Sequence, residues 1–197
     1  MNNSLENNQN ISLTIEHSDI LSNEAANRKY VPRLYQLAIA NSVLRNGSTL
    51  VVLPTGLGKT LIALLVMKEI INRNKDAKVL FLAPTKALVE QHRATIADYF
   101  NDLDTKNEII ALTGSIKKQN RLDSWEKRIV ISTPQTVVSD LLSDKNNIKF
   151  PYDLVVFDEA HRAIGKYSYT KIAQVANLKN CLILALTASP GSKFERI

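Results

Sequence analysis

The sequence predicts an α/β fold, a parallel β-sheet with helices on both faces, and three observations carry that prediction. Short apolar runs rich in β-branched residues recur at Leu50–Leu53, Lys78–Ala83, Glu108–Leu112, Arg128–Ser132, Asp153–Phe157 and Cys181–Leu186. Segments with helical spacing lie between them, at 59–73, 86–100, about 117–125, 134–142 and about 168–178. The runs are apolar nearly throughout instead of alternating, which is how strands read when both sheet faces are covered. The third observation is Pro54-Thr-Gly-Leu-Gly-Lys-Thr60, set between the first run and the first long helical segment. A glycine-rich loop joining a strand to a helix is the setting in which a backbone wraps a phosphate chain.

A chain of 197 residues is long enough for one large domain with a full core. Its 45% hydrophobic and 22% charged residues are an ordinary soluble composition. No apolar stretch approaches the roughly 20 residues needed to cross a bilayer, and the N-terminus lacks the charged start and apolar block of a secretory signal. These features predict a cytoplasmic protein without membrane partners. The single cysteine, Cys181, lies in a Leu-Ile-Leu run and reads as a buried strand residue in a reducing compartment. A net charge of +6 is compatible with a polyanion-binding surface, though basic domains of other kinds exist.

Residues 1–27 read as a disordered or loosely packed tail, because five of the first ten are Asn and few are apolar. Ile11, Leu13, Ile15 and Ile20 could at most form a short strand there. The domain is expected from residue 28 to 197. Leu37, Ile39, Ala40, Val43 and Leu44 space as an amphipathic helix with Pro32 at its first turn and Asn46-Gly47 at its end. On spacing alone, Arg33 and Gln36 are solvated helix residues.

Within the glycine loop each residue type has a task. Gly56 and Gly58 allow backbone conformations closed to other residues, so the N–H groups of Thr55, Gly56, Leu57 and Gly58 can converge on phosphate oxygens. The helix beginning near Gly58 adds unpaired N–H groups and the positive end of its dipole. Lys59 would reach the β- and γ-phosphates, and Thr60 would offer its hydroxyl to Mg²⁺. The bland reading is a glycine turn followed by Lys-Thr. The general pattern also places Gly five residues before Gly58, where this chain has Leu53. A second signal is Asp153-Leu-Val-Val-Phe-Asp-Glu-Ala-His161, in which a carboxylate pair stands where an apolar strand ends. Asp158 would hold Mg²⁺ through its water shell, and Glu159 would orient and deprotonate an attacking water. Read alone, the pair is an acidic helix N-cap.

Four further strand ends carry hydroxyls. In Ala83-Pro-Thr-Lys86, Thr85 reads as a helix N-cap, and with Lys86 it could also grip a nucleic-acid phosphate. Leu112-Thr-Gly-Ser115 and Ser132-Thr-Pro-Gln135 repeat the arrangement, and each alone is an ordinary turn or cap. In Leu186-Thr-Ala-Ser-Pro-Gly191, Thr187 and Ser189 are placed to hydrogen-bond the residues that follow Asp158. His92 could be read as catalytic, but a single histidine at the end of an amphipathic helix is more often a surface or packing residue.

The ordered set Pro54-Thr-Gly-Leu-Gly-Lys-Thr60, Ala83-Pro-Thr-Lys86, Thr133-Pro-Gln-Thr136, Asp158-Glu-Ala-His161 and Thr187-Ala-Ser-Pro-Gly191 resembles the first RecA-like motor domain of superfamily 2 helicases. The wording around the glycine loop, the carboxylates and the last strand is similar to the archaeal Hef and Fanconi-anaemia M-type DNA translocases. The resemblance covers about residues 28–197. It implies a RecA-like P-loop NTPase domain that uses ATP and Mg²⁺. It makes Gln36 the adenine reader with Arg33 as helper, and His161 the coupler of nucleotide state to the nucleic-acid track, with Lys59, Asp158 and Glu159 catalytic. It maps Thr85, Lys86, Gly114 and Thr133 to loops that hold a nucleic-acid backbone. It also implies a second motor domain, absent from this chain, that supplies an arginine finger, so the chain alone is expected to be weak or inactive. The leading function is the ATP-binding half of a DNA helicase or translocase acting on branched DNA. The alternatives are a duplex-RNA-dependent motor of the same superfamily and a non-catalytic, nucleotide-gated binding module. An intact Lys59, Thr60, Asp158, Glu159 set argues against the last, because a pure binder needs no base.

Overall fold

The structure, a computed structural model, describes residues 29–101, 103–143, 149–163 and 167–189. Six parallel strands form one sheet in the order β1-β6-β5-β2-β4-β3. They are β1 (Thr49–Val52), β2 (Val79–Leu82), β3 (Ile109–Leu112), β4 (Ile129–Ser132), β5 (Leu154–Phe157) and β6 (Leu182–Thr187). The long helices are α1 (Leu34–Asn46), α2 (Lys59–Arg73), α3 (Lys86–Tyr99), α4 (Pro134–Leu141) and α5 (Tyr167–Leu178). A single helical turn, Thr105–Glu108, precedes β3. Compact packing divides the chain between Val31 and Pro32, and the sheet belongs to the second unit, Pro32–Ile197.

Alternation along the central strand β2 shows why these runs are apolar throughout. Leu80 and Leu82 join a cluster with Val137 of α4 and Ile172 of α5. Phe81, pointing the other way, stacks on His92 of α3 with ring centroids 4.6 Å apart. Both faces are therefore covered, and all four β2 residues are buried. The edge strand β1 departs from this. Register places Leu50 beside Ala185, Ala185 beside Phe157 and Phe157 beside Leu82, so all four share the α4/α5 face. Cover from α5 reaches β6, and beyond it Leu50 and Val52 stand exposed at 56% and 42%.

Helix boundaries follow the sequence closely, with two differences. Pro32 lies before α1, not in its first turn, because Arg33 takes the extended N-cap conformation and its N–H is accepted by Gln36 Oε1 at 2.8 Å. The segment expected to be helical at about 117–125 forms two 3₁₀ turns, Lys118–Asn120 and Leu122–Glu126. Between them Arg121 turns inward, and its guanidinium is engaged by Asp140 and by the carbonyls of Thr113 and Ile116, which breaks a continuous helical path. The tail at 1–27, with the short strand it could at most form, lies outside the described residues. Among the described residues no helix is long and apolar enough to cross a membrane.

Candidate functional site

The loop after β1 is shaped by two positive-φ glycines. Gly56 has φ 86° with nothing near the position of a Cβ, so the backbone angle alone selects glycine there. Gly58, at φ 71° and ψ 40°, is the left-handed N-cap of α2, and a Cβ on it would stand 2.4 Å from Gln36 Nε2. The first turn of α2 has neither a side-chain cap nor an acidic residue, which leaves its N–H groups and dipole to an external anion. Lys59 Nζ donates to Leu53 O at 2.9 Å and Pro54 O at 3.4 Å. Those partners are neutral carbonyls, which phosphate oxygens can replace with charge-assisted bonds. Thr60 follows in the same first turn.

The beginning of α1 grips the middle of this loop. Tyr35 Oη donates to Leu57 O at 2.8 Å and Gln36 Nε2 donates to the same oxygen at 3.1 Å. Gln36 is buried, with both ends of its amide engaged, whereas Arg33 is exposed. Spacing alone had both as solvated, which holds for Arg33 and not for Gln36. The burial of Gln36 follows from Gly58, whose missing Cβ makes room for the amide.

At the end of β5, the Asp158 N–H donates to Leu82 O at 2.9 Å, continuing the ladder one residue past the strand. Tyr169 Oη donates to Asp158 O at 2.9 Å, so the main chain is pinned on both sides. The carboxylate is buried, and its Oδ2 lies 2.8 Å from His92 Nε2. Glu159 takes φ 51°, a left-handed conformation that costs a non-glycine residue of order 1–3 kcal/mol. Its Oε2 lies 3.3 Å from His161 Nδ1, which is also 2.9 Å from Thr187 Oγ1. The Thr187 hydroxyl donates to Ser189 O at 2.6 Å, so its oxygen accepts and His161 carries its proton on Nδ1. Ser189 takes part through its backbone, its N–H lying 3.3 Å from Thr187 Oγ1.

The remaining candidates stand at the same carboxyl edge, after β2, β3 and β4. Thr85 caps α3, accepting from Leu88 N at 3.3 Å, and Lys86 Nζ donates to Ser115 Oγ at 3.0 Å. Gly114 is exposed with open space around it. Thr133 turns its hydroxyl to Thr136 Oγ1 at 2.8 Å. The structure thus joins the β2 and β3 loops directly, and sets Thr133 on its own helix.

Among the described residues no group of three or more His, Cys, Asp or Glu could hold a metal. The donors that remain, the Thr60 hydroxyl and Asp158 Oδ1, are hard oxygens of the kind that hold Mg²⁺ through retained waters. Tyr35, His92, Tyr169 and the Arg121–Asp140 pair were not singled out by the sequence as parts of the site. Only His92 left a usable signal, its helical phase with Val89, Ile96 and Tyr99, which points it inward.

Residues 29–192 match the family described as type III restriction enzyme, res subunit. A Methanocaldococcus jannaschii protein named for an ATP-dependent RNA helicase is 43% identical over 166 residues, covering 84% of this chain and 21% of that protein. The Drosophila melanogaster protein named DEAD-box ATP-dependent DNA helicase Fancm is 41% identical over 173 residues, covering 84% of this chain and 11% of its own. The crystal structure of the Pyrococcus furiosus Hef helicase domain superposes with a TM-score of 0.75 at 43% identity, over 83% of this chain and 34% of that one. The chain spans about a tenth to a fifth of the length of these curated relatives.

Proposed function

This chain belongs to the type III restriction enzyme res-subunit family, and from that premise we propose that it is the ATP-binding motor domain of a DNA helicase or translocase acting on branched DNA. One observation carries the reading. The glycine loop with Lys59 and Thr60 stands at the same sheet edge as Asp158 and Glu159, across the end of β6. Lys59 exchanges Leu53 O and Pro54 O for the β- and γ-phosphates, while the loop N–H groups from Thr55 to Gly58 hold the chain of phosphates. Thr60 and Asp158 would hold Mg²⁺, which would supply charge neutralisation and polarise the γ-phosphate. Glu159 orients the attacking water and accepts its proton. His161 donates to Thr187, tying the carboxylate turn to the end of β6, with the Ser189 backbone extending the link. Gln36 retains one N–H and one acceptor lone pair beyond its present bonds, enough to read the edge of an adenine with Arg33 beside it.

Thr85, Lys86, Gly114 and Thr133 contact the nucleic-acid backbone in this reading, and a second motor domain brings the arginine finger. The name of the Drosophila relative, a DNA helicase, favours DNA. Duplex RNA is the second reading, favoured by the name of the Methanocaldococcus relative. Competition between forked DNA and sequence-matched duplex RNA for the protein separates the two.

The first test is nucleotide binding and ATP turnover by the chain with Mg²⁺, with and without forked DNA. Binding without appreciable turnover is expected, and Lys59→Ala should weaken binding by about 10–1,000-fold, the loss of a charge-assisted contact of roughly 1.5–3 kcal/mol or more. In the intact motor, Glu159→Gln should retain binding and lose turnover by at least about 10²-fold. Undiminished nucleotide binding by Lys59→Ala would overturn the phosphate-loop assignment.

A further inference from the structure

We infer that His92 is a positioning residue for Asp158, the carboxylate that would hold magnesium, fixing its rotation by engaging Oδ2 and leaving Oδ1 as the available oxygen. The inference deepens the proposed function and rests on its reading of Asp158. His92 is 6% exposed, and the side chains of the pair are 8% and 10% exposed. A carboxylate this buried needs a donor. The backbone of Asp158 is already held by Leu82 O and by Tyr169 Oη. Neither bond restrains the side-chain torsions, and His92 Nε2 does so at 2.8 Å through Oδ2. The imidazole is itself held by Phe81, whose ring lies 4.6 Å away at 43°.

The donor comes from the second turn of α3, 66 residues away in sequence from its acceptor. A histidine buried only for packing would leave its ring nitrogens at the edge of the core; here Nε2 is aimed at a buried carboxylate at the end of β5. Outer-shell donors of this kind set the direction of a ligand lone pair, and their loss typically costs about 10–100-fold in metal affinity.

Three variants decide the matter: His92→Phe, which keeps a ring against Phe81 and deletes the donor, His92→Gln, which restores an N–H donor, and Asp158→Asn. The readouts are the His92 ring tautomer in the metal-free chain, from long-range ¹H–¹⁵N correlation, and the Mn²⁺ concentration that half-saturates binding in the presence of ADP. The wild type should show the Nε2-protonated tautomer. His92→Phe should raise the Mn²⁺ requirement about 10–100-fold, with metal-free nucleotide affinity unchanged, and His92→Gln should recover most of the loss.

If Asp158→Asn raises the Mn²⁺ requirement and His92→Phe does not, the positioning role falls and the metal reading stands. If Asp158→Asn has no effect, the reading of Asp158 falls and takes the inference with it. Should His92→Phe lose its cooperative melting transition, the tautomer and the Gln variant decide alone. An Nδ1-protonated ring, or a Gln variant with a full 10-fold loss, overturns the proposal.

Discussion

Around β1 and β5 the loops are shaped by backbone angles, φ 86°, 71° and 51° at Gly56, Gly58 and Glu159, whereas the loop after β3 is held by side chains. Arg121 meets Asp140 in a two-pronged pair, Nε to Oδ2 at 2.6 Å and Nη2 to Oδ1 at 2.7 Å. Trp125 Nε1 donates to Asp140 Oδ2 at 3.2 Å, and Arg121 Nη1 reaches the carbonyls of Thr113 and Ile116. The side chains of this pair are 6% and 0% exposed. The Asp140 hydrogen bond, outweighing the cost of burial, holds the Arg121 guanidinium above its ordinary pKa. A loop that must present its own N–H groups to phosphates needs them free, so its shape has to come from backbone torsions. The loop after β3, which under the proposed function would offer Ser115, the acceptor of the Lys86 bond, to a nucleic-acid backbone, can be braced from below by a buried pair.

The largest effect should therefore come from breaking the brace. Asp140→Ala leaves the Arg121 charge buried with only carbonyl partners, and should cost about 3–5 kcal/mol in urea denaturation. Replacing both partners by apolar residues, Arg121→Met with Asp140→Leu, should recover most of that loss. The double variant should still bind forked DNA less well, since Thr113 and Ile116 lose their anchor. Unaltered DNA affinity in a folded double variant would show that the brace serves stability alone.

Next come the glycines, where torsion and space separate. Gly56→Ala has open space and meets only the left-handed penalty, about 1–2 kcal/mol. Gly58→Ala adds the displacement of Gln36 Nε2 from Leu57 O, about 0.5–1.5 kcal/mol more. Nucleotide affinity should thus fall further for Gly58→Ala than for Gly56→Ala. Equal losses would mean that Gln36 moves aside freely.

The same division explains how much could be read from the sequence. Backbone-shaped loops announce themselves, because Gly56, Gly58, Lys59 and Thr60 must be contiguous to share one turn of chain, and Asp158-Glu159 must follow a strand. The sheet was equally legible, since strands covered on both faces, such as Val79–Leu82, cannot alternate. The braces were not. Arg121, Trp125 and Asp140 are scattered over 20 positions, and Tyr35 and His92 act on partners 22 and 66 residues away. Nothing local distinguishes such residues from ordinary surface or core ones until the sheet order brings their partners together. Exposure of Leu50 and Val52 escaped for the same reason. Their run reads like a central strand, and only the order β1-β6-β5-β2-β4-β3 makes it an edge.

The smallest effect probes the point where side-chain bracing touches the backbone-shaped loop. Leu57 O accepts from both Tyr35 Oη at 2.8 Å and Gln36 Nε2 at 3.1 Å, and a carbonyl has two lone pairs for them. Tyr35→Phe removes one donor and leaves the oxygen satisfied, so its cost should fall near the low end of a hydrogen bond, about 0.5 kcal/mol. Gln36→Leu likewise leaves Tyr35 in place, although it also releases the Arg33 N–H. Removing both strips the carbonyl of its side-chain partners, and the loss of about 1–3 kcal/mol should exceed the sum of the singles. A double-mutant cycle on nucleotide affinity measures the excess. Strict additivity would mean that water takes over at Leu57 O, and that α1 covers the phosphate loop without holding it.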